Sequence, residues 1–261
     1  MNLHSIPYSD VNEILNLLHT NIKTILQDQF IGMYLFGSLA NGDFDKDSDI
    51  DVLVVTKDTI PEKMFSSLHA MHEKVAQTDS PWAFQLEVSY IPEGALRRYD
   101  PTNNKHPHLD RGKGEKLKIM QHDRDWVIQR QILRERGIIV EGPDPETLID
   151  PVSSGDLKQA VMDILNSWIK GFLDDPRSLK NRGYQSYTVL TLCRILYTYM
   201  HEAIVSKPAA AEWAKRTLEP EWKPLIERAW MGRQNPGMKS DPEDLKRTLD
   251  FIRYSLEKTS V

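Results

Sequence analysis

Residues 36–51 read FGSLANGDFDKDSDID and lie between two short apolar runs, IGMYLF (31–36) and IDVLVVT (50–56). No other stretch restricts the fold as much. Apolar segments of this length read as buried strands, the second because of its β-branched residues. Gly37-Ser38 follows the first run, and Asp49-Ile50-Asp51 opens the second. Side chains alternate along a strand, so Asp49 and Asp51 leave on one face, roughly 6–7 Å apart along the backbone. Ile50 then points into the core. Two carboxylates held so close repel each other, and a divalent cation removes the conflict. Mg²⁺ favours oxygen ligands and accepts a phosphate as one of them. A glycine at position 37 lets the backbone approach a ligand closely. The Ser38 hydroxyl and neighbouring N–H groups suit phosphate oxygens. Ser48, just before the first aspartate, is placed to donate to a phosphate oxygen as well.

The rest of the chain divides in two. Residues 9–27 carry apolar side chains at helical spacing, with Ser9 or Asp10 as the expected cap. A helix is expected at 61–77, opened by Pro61. FQLEVSYI (84–91) alternates as a third strand, turning Gln85, Glu87 and Ser89 to one side and Leu86 and Val88 to the other. Residues 92–117 are polar and rich in Gly, Pro and Asn, and read as a long loop. From about 121 the chain turns helical. RDWVIQRQILRERG (124–137) ends at Gly137, and the apolar IIV and the turn EGPDP follow. Residues 155–173 carry a helical stripe, and further helices are expected near 186–205, 208–217, 220–230 and 242–258. The expected organisation is an α/β domain over 1–150 and an all-α bundle over 151–261.

Composition bounds the function class. The formal charge of −5 argues against general binding to nucleic acid, which needs a basic surface. No apolar run reaches the roughly 20 residues needed to span a bilayer. The opening MNLHSIPYSD lacks the basic-then-apolar pattern of a secretory signal. The single cysteine, Cys193, excludes a disulfide framework within the chain. A cytoplasmic setting is the expectation. His106 and His108 lack an apparent third metal ligand. Trp126, Trp168, Trp213 and Trp222 read as core residues at helical positions. Arg97, Arg98, Lys105, Arg111, Lys113 and Lys116 form a basic loop that could steer a triphosphate or simply be solvated.

The strand, Gly-Ser, D-x-D, strand pattern resembles the signature of the polymerase-beta-type nucleotidyltransferases. YTVLTLCRILYTYMHEAIVSKPAAAEWA (187–214) and the turn GPDPETLIDPV (142–152) resemble the streptomycin/spectinomycin adenylyltransferases of the aminoglycoside nucleotidyltransferase group. The resemblance spans nearly the whole chain. It implies an N-terminal polymerase-beta-like domain with a small mixed sheet and a C-terminal helical bundle, with ATP–Mg²⁺ and an acceptor held between them. The implied reaction moves AMP to a hydroxyl of an aminoglycoside-like small molecule and releases pyrophosphate. Asp49 and Asp51 are the implied metal ligands and catalytic carboxylates. Glu87 is a third metal ligand, or the base that takes the acceptor's proton. Gly37, Ser38 and Ser48 are expected at the nucleotide, with Arg194 and Lys207 as phosphate-binding cations and Asp125 facing the acceptor.

The sequence also departs from that group. Its members place acids ahead of the VLTLCR helix to hold cationic drug groups, and Lys180 and Tyr184 occupy those positions here. The tryptophan that stacks on streptomycin has no clear counterpart. The reaction therefore carries over better than the acceptor. A non-drug acceptor and a catalytically silent nucleotide-binding module remain the alternative readings, and the sequence is silent on oligomeric state.

Overall fold

A computed structural model describes residues 8–235 and 237–259. Most of the opening stretch read for a secretory signal lies outside them. The chain divides into two compact units, Met1–Pro151 and Val152–Val261. Among the described residues no helix is long and apolar enough to cross a membrane.

The first unit is built on a mixed sheet of six strands: β1 (Phe30–Leu35), β2 (Ile50–Thr56), β3 (Leu86–Pro92), β4 (Lys105–Leu109), β5 (Lys118–Gln121) and β6 (Ile138–Glu141). Their order is β5-β4-β3-β2-β1-β6. Helix α1 (Ser9–Leu26) precedes the sheet, and the short α2 (Gly37–Asn41) leaves β1. Helix α3 (Glu62–Val75) returns the chain from β2 to β3, so these two strands run parallel while every other pair is antiparallel. Short α4 (Glu93–Leu96), α5 (Trp126–Arg136) and short α6 (Pro145–Leu148) complete the unit.

Strand β2 lies at the centre and is buried along its length except at Asp51. Its unbroken apolar run is what burial on both faces demands. Ile50, Val52 and Val54 join Leu86, Val88 and Tyr90 against the stripe of α1, which contributes Val11, Ile14, Leu15, Leu18 and Ile22. The cap of α1 differs from expectation. The N-cap is Tyr8, and the Asp10 carboxylate instead accepts from the Trp82 indole N–H at 2.8 Å. Pro61 is likewise the N-cap residue of α3 rather than its first helical position.

The expected loop over 92–117 is a correction. It contains α4 and β4, and β4 pairs with β3 on one side and β5 on the other. Two features hid the strand. Its buried side chains include His106 and His108, which no apolar pattern signals, and Pro107 lies inside it, which normally demotes a strand. His106, His108 and His122 form edge-on ring contacts, and His122 stacks on Trp126 with centroids 4.2 Å apart.

The second unit holds α7 (Ser154–Ile164), short α8 (Gly171–Asp174), α9 (Arg182–His201), α10 (Lys207–Thr217), α11 (Lys223–Gln234) and α12 (Pro242–Thr259). Helix α9 is central and buries Val189, Leu190, Leu192, Cys193, Ile195 and Leu196 against the helices around it. Burial pushes the Cys193 thiol up to about 12, so it is a packing residue rather than a nucleophile. Asn181, Ser153 and Ser206 cap α9, α7 and α10 with side-chain oxygens that accept backbone N–H bonds. Trp126 and Trp222 are buried, as core residues should be, whereas Trp168 and Trp213 are only half-buried.

Candidate active site

Asp49 precedes β2, Asp51 is its second residue, and Glu87 is the second residue of the parallel neighbour β3. The register pairs Asp51 with Glu87 directly, so the shared pleat turns both carboxylates to one face. One carboxylate oxygen from each of Asp49, Asp51 and Glu87 lies within 4.8 Å of the others. Ile50, between the two aspartates, is fully buried on the opposite face. The expected geometry of all three carboxylates is therefore present.

Gly37 is fitted to this cluster. Its φ is +61°, and a Cβ there would lie 1.7 Å from Asp51 Oδ2. Only glycine lets the backbone sit against that carboxylate. The Phe36 N–H donates to the Asp51 carbonyl at 3.1 Å, which fixes the start of α2 beside β2. The Asn41 amide donates to the Gly37 carbonyl at 2.8 Å, and Arg136 from the last turn of α5 donates to Asn41 Oδ1 at 2.8 Å. Ser38 is half-buried, and its Oγ is buried with no hydrogen-bond partner. A buried hydroxyl in that state is open to a further hydrogen-bond partner, since leaving it unmatched costs about 1–3 kcal/mol.

The spacer between Gly37-Ser38 and Asp49 is a defined turn. Gly42 ends α2 in the left-handed region, and the Asp43 N–H donates to the Ser38 carbonyl at 3.2 Å. Ser48 is buried, and its hydroxyl donates to Asp45 Oδ1 at 2.9 Å while accepting from the Asp45 N–H at 3.0 Å. The structure therefore places Ser48 as the residue that closes the turn delivering Asp49.

Sequence reasoning named Arg111 only as one of the basic-loop cations and did not foresee its place beside Asp49. Its guanidinium lies 3.3 Å from Asp49 Oδ2, and both side chains are partly exposed. Among the cations of its segment, only position along the chain marked it, and position alone did not single it out.

Asp125 occupies the N-cap position of α5 but makes no side-chain cap bond. Burial, and then the neighbouring Asp123, push its carboxyl up to about 6. Arg194 and Lys207 belong to the helical unit. Lys207 opens α10, with its ammonium 5.3 Å from the Tyr187 ring centroid, and Arg194 follows Tyr187 two turns along α9. Lys180 and Tyr184 are both exposed, and the Tyr184 hydroxyl accepts from the Trp168 indole N–H at 3.3 Å. Trp168, Tyr184 and Tyr187 pack ring against ring at that surface.

An all-oxygen donor set, a backbone cradle without a side chain and an unmatched hydroxyl suit a hard divalent cation carrying a phosphate. Comparison with known proteins points the same way. Residues 19–107 match the model of the nucleotidyltransferase domain, and residues 147–257 match that of the aminoglycoside adenylyltransferase C-terminal domain. A spectinomycin 9-adenylyltransferase of Staphylococcus aureus is 30% identical over 218 residues, covering 81% of this chain and 80% of the relative. An aminoglycoside (3'') (9) adenylyltransferase of Escherichia coli is 25% identical, covering 91% of each chain. The crystal structure of spectinomycin adenyltransferase AAD(9) from Enterococcus faecialis, with ATP and spectinomycin, shares the fold. The TM-score is 0.72 at 19% identity, over 94% of this chain and 98% of that one.

Proposed function

The chain belongs to the aminoglycoside adenylyltransferases and is a nucleotidyltransferase, and we propose that it moves AMP from ATP to a hydroxyl of an aminocyclitol-type acceptor in a Mg²⁺-dependent reaction. The observation that carries the reading is the carboxylate cluster of Asp49, Asp51 and Glu87 with Gly37 pressed against Asp51. Bound Mg²⁺ would neutralise the triphosphate and draw electron density from the α-phosphorus.

The residues divide the work. Asp49 and Asp51 would hold the ion and so help to orient the α-phosphate. Gly37 leaves room for this, and the Ser38 hydroxyl donates to a phosphate oxygen. Ser48 contributes by holding the turn before Asp49. Glu87 would help to hold the ion and would take the acceptor's proton, which requires hydrogen-bond reach of the attacking hydroxyl. The oxygen of that hydroxyl bonds to phosphorus as the bond to pyrophosphate breaks. Arg194 and Lys207 bind phosphates, and Asp125 faces the acceptor; the resemblance of the sequence supports these three assignments.

The curated relatives named above act on spectinomycin or on aminoglycosides, which makes these compounds the first acceptors to try. The direct test incubates the protein with ATP, Mg²⁺ and single aminocyclitols or aminoglycosides, and follows pyrophosphate. The expected result is release that depends on one acceptor and falls by roughly two orders of magnitude or more in Glu87→Gln, with ATP still bound. Nucleotide binding without transfer to any acceptor, unchanged in Glu87→Gln, would instead mark a silent binding module.

A further inference from the structure

Arg111 differs from its neighbours in what it touches. Arg97 pairs with Asp150 at 3.0 Å and Lys116 with Glu73 at 3.2 Å, neither partner being a member of the carboxylate cluster. Arg111 lies 3.3 Å from Asp49 Oδ2, at one of the three clustered carboxylates. The backbone on either side of it is fixed. Asp110 Oδ1 lies 3.2 Å from His108 Nε2, and Asp110 Oδ2 lies 2.6 Å from the Lys118 ammonium. His108 is buried, and its Nδ1 lies 2.7 Å from Ser89 Oγ, two residues beyond Glu87 on β3. On the other side, the Gly112 N–H donates to the Phe84 carbonyl at 2.9 Å. The arginine thus projects from a turn clamped to the strand that carries Glu87.

Three carboxylates this close need a balancing charge. A guanidinium supplies one permanently, and its fork fits carboxylate and phosphate oxygens equally well. It cannot be a metal ligand, because it has no lone pair to offer. While Arg111 is paired with Asp49, it competes with a metal ion for that oxygen. A nucleotide phosphate offers it another partner.

We propose that Arg111 is an exchangeable counter-ion of the carboxylate site, paired with Asp49 before nucleotide binds and transferred to a nucleotide phosphate oxygen afterwards. The proposal rests on the nucleotidyltransferase reading and adds an order to it. Metal alone binds weakly, and the nucleotide strengthens metal binding by drawing Arg111 away. Arg111 then adds to the coupling of metal and nucleotide affinities that a shared phosphate ligand already provides.

The test compares the intact protein with Arg111→Gln and Arg111→Lys. Electron paramagnetic resonance measures Mn²⁺ binding alone, and calorimetry measures binding of α,β-methylene-ATP with Mn²⁺ present. Arg111→Gln should bind Mn²⁺ alone roughly three- to tenfold more tightly, and the analogue roughly tenfold more weakly. Arg111→Lys, which keeps the charge but loses the fork, should fall between, and its thermal unfolding checks that the fold survives. Failure of either shift in both variants overturns the proposal and leaves the transfer reading standing. Wild-type protein that binds neither Mn²⁺ nor the analogue overturns both.

Discussion

At the residue scale, Gly37 shows how strongly one position can be constrained. Its left-handed φ and the 1.7 Å approach of a notional Cβ to Asp51 Oδ2 act together. Gly42 is the natural control, because it is also left-handed at φ +73° but has nothing within 4 Å of a notional Cβ. Both Gly→Ala changes should cost about 1 kcal/mol of stability through the backbone alone. Only Gly37→Ala should displace Asp51, and a displacement of about 1 Å is enough to lower transfer roughly a hundredfold. Steady-state kinetics and urea unfolding of the two variants separate these effects. Equal losses of activity would contradict the fitted-glycine account. Spacing made Asp49 and Asp51 legible in the sequence, and strand alternation made Glu87 legible. Arg111 was not legible, because proximity across the fold distinguishes it and local sequence does not.

At the element scale, periodicity found the long elements and missed those with polar interiors. Strands β1, β2 and β3 and the amphipathic α1 follow their apolar patterns closely. Strand β4 breaks the rule, since it buries histidines that find partners in Ser89, Asp110 and ring contacts instead of apolar neighbours. The helical unit holds a similar surprise. Asp244 on α12 is buried and pairs with Arg182 on α9 at 2.6 Å and with Arg228 on α11 at 2.5 Å. Gly232 makes room for it, because a Cβ there would lie 2.6 Å from Arg182 Nε. Removing the anion leaves an uncompensated buried guanidinium, so Asp244→Ala should lose about 3–5 kcal/mol. Urea denaturation measures this, and a loss under about 1 kcal/mol would show the ion pairs to be incidental.

At the scale of the whole molecule, buried titratable groups set the response to acid. Burial lowers His72 and His122 from 6.5 to about 3. Between those limits the unfolded chain binds protons that the native state refuses. The stability they allow is therefore complete above about pH 6.5 and is lost as pH falls through the window. Asp125 acts in the opposite sense. Its carboxyl is raised from 3.8 to about 6, so its contribution is lost as pH rises from about 4 to about 6 and is flat above that. Burial lowers His106 and His108 too, so with four histidines set against one carboxyl thermal unfolding should move to lower temperature between pH 7 and pH 5, and His122→Phe should flatten that dependence. An unchanged slope in the variant would remove His122 from the explanation.

The proposed function requires three carboxylates that gather a divalent ion against a nucleotide. Anomalous diffraction from crystals grown with Mn²⁺ and α,β-methylene-ATP tests it most directly. The expected result is a peak about 2.1 Å from carboxylate oxygens of Asp49 and Asp51 and from a phosphate oxygen, with Glu87 beside it. Nucleotide bound with no manganese at those side chains, or manganese held elsewhere, would contradict it.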